Sequence, residues 1–241
     1  MERIPTRERL IFALDVPDAA LARNVVEELG DSVEFYKLGL ELMMAGGYHE
    51  LLDWVVARKK KVFADLKFYD IPATVAAAVR QLTNRGITYA TVHGHRQIMD
   101  AAVEAGRDVG ILAVTVLTSF DARDLDELGT GIEVKDLVVS RAKGALAAGC
   151  AGVIASGHEA ALIRAAVGNE FKVVTPGIRP AQRGGAQRPD DDQKRVFTVE
   201  QAFAAGASHI VVGRPIRDAK DPRAAAEAIQ ASIAAALAGA A

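Results

Sequence analysis

The sequence predicts an α/β chain folded as a single-domain (β/α)8 TIM barrel, and three observations carry that reading. Short apolar runs alternate with helical stretches from end to end. There are eight such runs in 241 residues, each followed by a helical stretch, which is the repeat of one closed barrel. The runs are apolar at consecutive positions, as in parallel strands buried on both faces. A doubly wound open sheet is the runner-up. The lack of an inserted second domain favours the barrel, and with no dividing linker residues 1–241 read as one domain.

The elements follow in order. Residues 10–14 form the first strand, ending at Asp15, and Pro17-Asp18 open a helix to about residue 29, since Pro and Asp suit a first turn. The second strand is 35–38, followed by a helical stretch over 41–56. The third is 61–66, and Pro72 starts a helix whose Val75, Val79 and Leu82 are spaced four and three apart. The fourth strand spans 89–93, with a helix near 97–105. The fifth spans 109–117, with a helix over 134–148. The sixth is 152–155, with a helix over 158–167. The seventh is 172–175, and a short helix near 199–205 leads to the eighth at 210–212. Asp221-Pro222 cap a last helix that presents Ile229, Ile233 and Leu237 on one face. Residues 176–197 break the rhythm. They carry Gly, Pro, Arg and Asp without apolar period, and a loop this long in a compact domain is usually functional.

Composition excludes several classes of function. Half the residues are apolar and a quarter charged, which fits a globular chain with a sizeable core and not a disordered one. Lys plus Arg number 29 against 31 Asp plus Glu, a net charge of −2. No basic excess points to nucleic acid or an anionic membrane. A single cysteine, Cys150, rules out a disulfide framework and any cysteine-based metal site, and it reads as core. The charged N-terminus lacks the apolar stretch of a signal peptide, and no run reaches transmembrane length, so the expectation is a soluble cytoplasmic protein.

In such a barrel the chemistry lies at the C-terminal ends of the strands. There the sequence turns from apolar to polar in every unit: Asp15, Lys37 with Gly39, Asp65 and Lys67 with Asp70, His93, Thr118-Ser119, Ser156-Gly157, Thr175-Pro176-Gly177 and Gly213-Arg214. Asp65 and Lys67 are two apart, so strand alternation points both the same way, with Leu66 towards the helices. Lys37 on the neighbouring strand can lie beside them. In a site of low dielectric, carboxylates hold neighbouring lysines protonated. That argues against imine chemistry, which needs a neutral amine, and for a proton donor to a strong base. The alternatives are an ion-pair network that merely ties strands together and, for Asp15, a simple helix cap.

Gly213 and Arg214 at the eighth strand, with Gly177 and Arg179 after the seventh, occupy the usual phosphate-binding position of these barrels, which implies a phosphorylated small-molecule substrate. No metal-ligand spacing stands out among His49, His93, His95, His158 and His209, and His93 reads as a hydrogen-bonded structural residue. No Gly-rich dinucleotide fingerprint is present. The run Asp190-Asp191-Asp192 reads as solvated.

These residues resemble the orotidine 5′-monophosphate decarboxylase family, of the bacterial type. Asp65-Leu66-Lys67-Phe68-Tyr69-Asp70-Ile71-Pro72-Ala73-Thr74 is similar to the family's D-x-K-x-x-D-I-P-x-T. Supporting pieces follow in the family's order: Phe12-Ala13-Leu14-Asp15, Tyr36-Lys37-Leu38-Gly39, Leu117-Thr118-Ser119, Thr175-Pro176-Gly177-Ile178-Arg179-Pro180 and Val212-Gly213-Arg214-Pro215. D-x-K-x-x-D alone is shared with sister enzymes. The combination with the other pieces is far more specific, and it spans almost the whole chain.

The resemblance implies loss of the C6 carboxylate of orotidine 5′-monophosphate as CO2, the last step of uridine 5′-monophosphate biosynthesis, with no metal and no cofactor. It implies that Lys67 protonates the C6 carbanion and that Asp65 faces the substrate carboxylate. Lys37 and Asp70 complete the charge network. Asp15 and Lys37 would hold the ribose hydroxyls, and Thr118 or Ser119 the pyrimidine amide edge. Arg179, Gln193, Gly213 and Arg214 would hold the phosphate, with Ile71, Thr74 and Pro176 completing the substrate set. It further implies a homodimer in which Asp70 and Ile71 cross to the partner's site. The sequence departs from the family at Asp192-Gln193-Lys194-Arg195, where a G-D-Q-x-R element is expected and the loop is longer, and Gln187 or Gln182 could supply the amide instead. Two alternatives stay open: a Mg2+-dependent hexulose-phosphate synthase or keto-gulonate-phosphate decarboxylase, and a nucleotide-sensing barrel without turnover.

Overall fold

The computed structural model describes residues 4–127, 129, 131–179 and 197–239. Its strands are β1 (Leu10–Ala13), β2 (Phe35–Leu38), β3 (Lys61–Phe68), β4 (Tyr89–His93), β5 (Gly110–Val114), β6 (Gly152–Ile154), β7 (Lys172–Thr175) and β8 (His209–Val212). Each pairs in parallel with the next, and β8 returns to β1, so the sheet closes as a barrel with its strands in chain order. The barrel expected from the sequence is the one observed.

Alternation along each short strand separates two cores. Ile11, Ala13, Phe35, Phe63, Leu112, Val114, Ile154, Val174 and Val211 point inward and fill the barrel. Their neighbours, such as Leu10, Phe12, Tyr36, Leu38, Val62 and Val173, point outward into a continuous layer beneath the helices. Both faces are dry, which is why the strands read as unbroken apolar runs.

The helices are α1 (Ala19–Leu29), α2 (Leu40–Ala45), α3 (Tyr48–Ala57), α4 (Pro72–Arg80), α5 (Arg96–Ala105), α6 (Ala122–Glu127), α7 (Val134–Ala147), α8 (Gly157–Val167), α9 (Val199–Ala204), α10 (Arg214–Arg217) and α11 (Pro222–Ala238). Asp18 caps α1 through Leu21 N at 2.8 Å, and Asp221 caps α11 through Ala224 N at 2.8 Å, with Pro222 in its first turn. Ser156 caps α8, and Thr198 with Gln201 closes a capping box on α9.

Four expectations needed correction. The single helix over 41–56 is two, because Gly46 and Gly47 take φ of 86° and 69°, a left-handed break that only glycine adopts without strain. The third strand runs on to Phe68, past an irregularity: its register with β4 shifts between Ala64 and Phe68, and Lys67 sits at φ 47°. The fifth strand stops at Val114, and the chain beyond it becomes a loop over the barrel mouth. Helices α6 and α10 were not anticipated. The latter is one turn beginning at Arg214, with Pro215 in that turn.

Candidate active site

The C-terminal ends of the strands surround a cavity of about 500 Å³. Its lining brings together Asp15, Lys37, Asp65, Lys67, Thr118, Ser119, Pro176, Gly177, Arg179, Gly213 and Arg214. A larger groove, about 730 Å³, runs outside the barrel between α4 and α5. It lies away from the strand ends and holds none of the residues singled out by charge.

Four side chains form a line of alternating charge on the cavity floor. Lys37 Nζ lies 3.0 Å from Asp15 Oδ1 and 3.5 Å from Asp65 Oδ2. Lys67 Nζ donates to the same Asp65 oxygen at 2.8 Å. Asp65 and Lys37 are almost fully enclosed, with 10% and 11% of their side chains exposed, whereas Lys67 opens to the cavity. Asp15 is therefore a member of the network, and the helix cap beside it is Asp18.

Burial and pairing pull in opposite directions here. Burial pulls the affinity of Lys37 for its proton down, but Asp65 and Asp15 override this and set it above the ordinary lysine value. Burial pushes Asp65 up, but Lys37, Lys67 and the hydrogen bond from Thr91 leave it below the usual carboxylate value. Both shifts favour the charged forms, so the floor of the cavity is a preorganised ionic array. Gly39 allows the array to close up: a Cβ there would stand 3.2 Å from Asp15 Oδ1 and 3.3 Å from Lys37 Nζ.

Asp65 and Lys67 share the cavity face, as alternation suggested, but by another route. The left-handed turn at Lys67 and the slipped register bring the ammonium back over Asp65. The same cavity is lined by Gly213 and Arg214, which follow β8 beside β1, and by Arg179, which follows the β7 loop, whose backbone is fixed by the bond from Arg179 N to Phe197 O at 2.8 Å.

Three of the expected residues do not reach this cavity within the chain. Asp70 and Ile71 lie on the exposed segment before α4, and Thr74 is exposed on its first turn. The Asp70 carboxylate accepts from Ile71 N at 2.6 Å. Ile71 is 65% exposed, and the neighbouring Tyr69 is 63% exposed, although its ring lies against His93 and His95 at 4.8 and 5.1 Å. Gln193, with Gln182, Gln187 and most of the 176–197 loop, lies outside the described residues.

Two neighbours of the array were missed by the sequence reading. Thr91, fully buried on β4, donates to Asp65 Oδ1 and accepts from Lys67 N, both at 2.9 Å. The inward positions of β4 are Tyr89, Thr91 and His93, and that polar alternation is the signal that could have found it. Arg217 lines the cavity from α10 and donates to the Asp15 carbonyl at 2.9 Å. Among the described residues no group of three His, Cys, Asp or Glu side chains converges as a metal site would require.

Comparison with known proteins places this geometry in context. Residues 8–229 match the model of the orotidine 5′-phosphate decarboxylase/HUMPS family. A relative from Methylococcus capsulatus, named orotidine 5′-phosphate decarboxylase, is 56% identical over 230 residues, covering 95% of this chain and 93% of the relative. One of the same name from Stenotrophomonas maltophilia is 56% identical over 233 residues, covering 96% and 95%. The crystal structure of orotidine 5′-phosphate decarboxylase from Lactobacillus acidophilus superposes with a TM-score of 0.81 at 35% identity, covering 94% of this chain and 99% of that one.

Proposed function

The chain belongs to the orotidine 5′-phosphate decarboxylase/HUMPS family, and on that premise we propose that it converts orotidine 5′-monophosphate to uridine 5′-monophosphate and CO2 without metal or cofactor. The observation that carries the reading is the Asp15–Lys37–Asp65–Lys67 array on the floor of a cavity that Arg179, Gly213 and Arg214 also line. A substrate that carries both a phosphate and a scissile carboxylate fits that lining.

In this reading the C6–carboxylate bond breaks heterolytically. The electron pair stays on C6, CO2 departs, and Lys67 Nζ delivers a proton to C6 and is reprotonated from solvent. The carbanion is the costly species, having no ring system to delocalise it, and a fixed ammonium stabilises it more than it stabilises the ground state. Asp65 faces the departing carboxylate and holds Lys67 in place, and ground-state stress from that proximity is a named contribution. Lys37 and Asp15 hold the ribose hydroxyls, Thr118 or Ser119 the pyrimidine edge, with Pro176 beside them. Arg179, Gly213 and Arg214 hold the phosphate, with Gln193 and the 176–197 segment keeping the phosphate-lid role that the resemblance implies. Phosphate contacts far from C6 supply binding energy for closing the site, so their loss harms turnover as well as affinity.

The site is completed by a second copy of the chain. Asp70 and Ile71 are then contributed across the interface to the partner's array, with Thr74 completing the substrate set. The exposed apolar side chains of Leu40, Met44, Tyr69 and Ile71, 56%, 83%, 63% and 65% exposed, support such a contact, since they crowd the segments that follow β2 and β3. The reading keeps one catalytic domain over 1–241, a cytoplasmic location, and neither nucleic acid nor membrane as partner. No described helix is long and apolar enough to cross a membrane.

The test is the loss of ultraviolet absorbance as purified protein acts on orotidine 5′-monophosphate, with and without EDTA. Rapid, chelator-insensitive turnover is expected. Silence toward this substrate, or turnover of a sugar phosphate only with Mg2+, would overturn the reading and move the chain to a sister reaction or a sensor.

A further inference from the structure

Thr91 is the sole polar side chain on the interior of β4 that is completely buried. A threonine hydroxyl has one proton to give and can accept in return. Here both capacities go to the reaction centre. Lys67 N donates to Thr91 Oγ1 at 2.9 Å, so the hydroxyl proton is left for Asp65 Oδ1, also at 2.9 Å. The direction of the second bond is dictated by the ionised carboxylate, which can only accept.

Each end of this relay needs what Thr91 supplies. Lys67 has φ 47°, a left-handed conformation that costs a non-glycine residue energy and persists only where the surroundings enforce it. It lies where the β3–β4 register slips, between Ala64↔Ala90 and Phe68↔Val92, so the threonine side chain takes up the amide at the kink. At the other end, Asp65 offers Oδ2 to both Lys67 and Lys37. A hydroxyl held on Oδ1 fixes the rotation of the carboxylate that directs Oδ2 to the two ammonium groups. The side-chain bond from Thr91 also lowers the Asp65 pKa.

We infer that Thr91 is a positioning residue of the decarboxylation: by one hydroxyl it holds the strained backbone that carries the Lys67 ammonium and orients the carboxylate that aims it. The inference rests on the activity proposed above, and Thr91 itself touches no substrate.

The experiment compares wild type with Thr91→Val, which keeps the shape and removes the hydroxyl, and Thr91→Ser, which keeps the hydroxyl. Turnover of orotidine 5′-monophosphate, calorimetric binding of uridine 5′-monophosphate, and the pH profile of kcat are measured for each. The valine variant is expected to lose about 10- to 100-fold in kcat, the scale of a hydrogen bond to a charged group, with KM and product affinity changed far less. Its acid limb moves to higher pH, because Asp65 has lost a donor, and serine restores both rate and profile. If the valine variant does not fold, Thr91→Ala, which leaves room for a bridging water, is read against serine in the same way.

A valine or alanine variant with wild-type kcat and pH profile overturns the inference while the proposed activity stands. So does a serine variant as slow as valine. A wild type that leaves orotidine 5′-monophosphate untouched overturns the activity, and the inference falls with it.

Discussion

Replacing Asp65 with asparagine tests whether the array holds together by charge. The substitution keeps the shape of the side chain but removes the negative charge shared by Lys67 at 2.8 Å and Lys37 at 3.5 Å. Two charge-assisted contacts weaken at once, each worth about 1.5–3 kcal/mol. Lys37 is then left enclosed with Asp15 as its one ionic partner, the circumstance in which breaking a buried pair costs about 3–5 kcal/mol. Water reaching Lys67 from the open cavity relieves part of this, so the lower end, about 3 kcal/mol, is the expectation. For a chain of this size that corresponds to a fall of about 6–12 °C in melting temperature. Thermal unfolding by circular dichroism at pH 7 and low salt reads it directly. A second variant, Lys37→Met in the Asp65→Asn background, should recover part of the loss, since it removes the stranded charge. An Asp65→Asn protein that melts at or above the wild-type temperature would refute the reasoning, for it would mean that desolvation of the carboxylate outweighs its pairing.

Other consequences are testable at Asp70 and at the far end of the barrel. If Asp70 crosses to the partner's site, mixing inactive Lys67→Ala and Asp70→Ala proteins restores turnover, because hybrid dimers carry one intact site; no restoration after subunit exchange would contradict a composite site. His209, buried among Phe35 and Tyr89, has its pKa pushed down to about 3 by burial and by Arg9, Lys172 and Lys61. Between pH 6.5 and about 3 the unfolded chain therefore binds a proton that the folded chain refuses, and stability falls as the pH drops through that window. From pH 7 to pH 5 the loss is about 2 kcal/mol, and it should be absent in His209→Gln; denaturation curves with the same separation at both pH values would exclude it. Arg164 donates to the carbonyls of Gly206 at 2.7 Å, Gly168 at 3.1 Å and Phe171, and to Ser208 Oγ at 2.8 Å. Lysine cannot reproduce that fork, so Arg164→Lys should cost about 2–4 kcal/mol of stability while leaving kcat at low temperature unchanged; an unaltered denaturation midpoint would show the bonds to be dispensable.

The barrel was legible because its strands are buried on two faces. Runs such as Leu10–Ala13 and Lys172–Thr175 announce themselves without any knowledge of their partners. The charge array was legible because each member stands where an apolar run ends. What escaped was set by local backbone geometry or by distant partners. Gly46-Gly47 interrupt a stretch that is otherwise apolar at helical spacing, and a periodicity argument passes over them. The turn at Lys67 is not written in its own residue type, since lysine rarely adopts φ 47°; the surrounding strands impose it. Arg217 was overlooked because no helix was expected between Gly213 and Asp221, whereas one turn of helix brings Arg217 back over Asp15. Asp70, Ile71 and Thr74 were legible as a motif, but the structure leaves all three exposed and away from the cavity of their own chain.

The measurement that bears most directly on the central claim is the turnover of Lys67→Ala alongside its affinity for uridine 5′-monophosphate. A proton donor to the carbanion contributes about 10²–10⁴-fold in rate. The account predicts that kcat falls by at least that much while product binding, held by the phosphate and ribose contacts, persists. An alanine variant that still turns over orotidine 5′-monophosphate at the wild-type rate would contradict it, because the proton would then have to come from elsewhere.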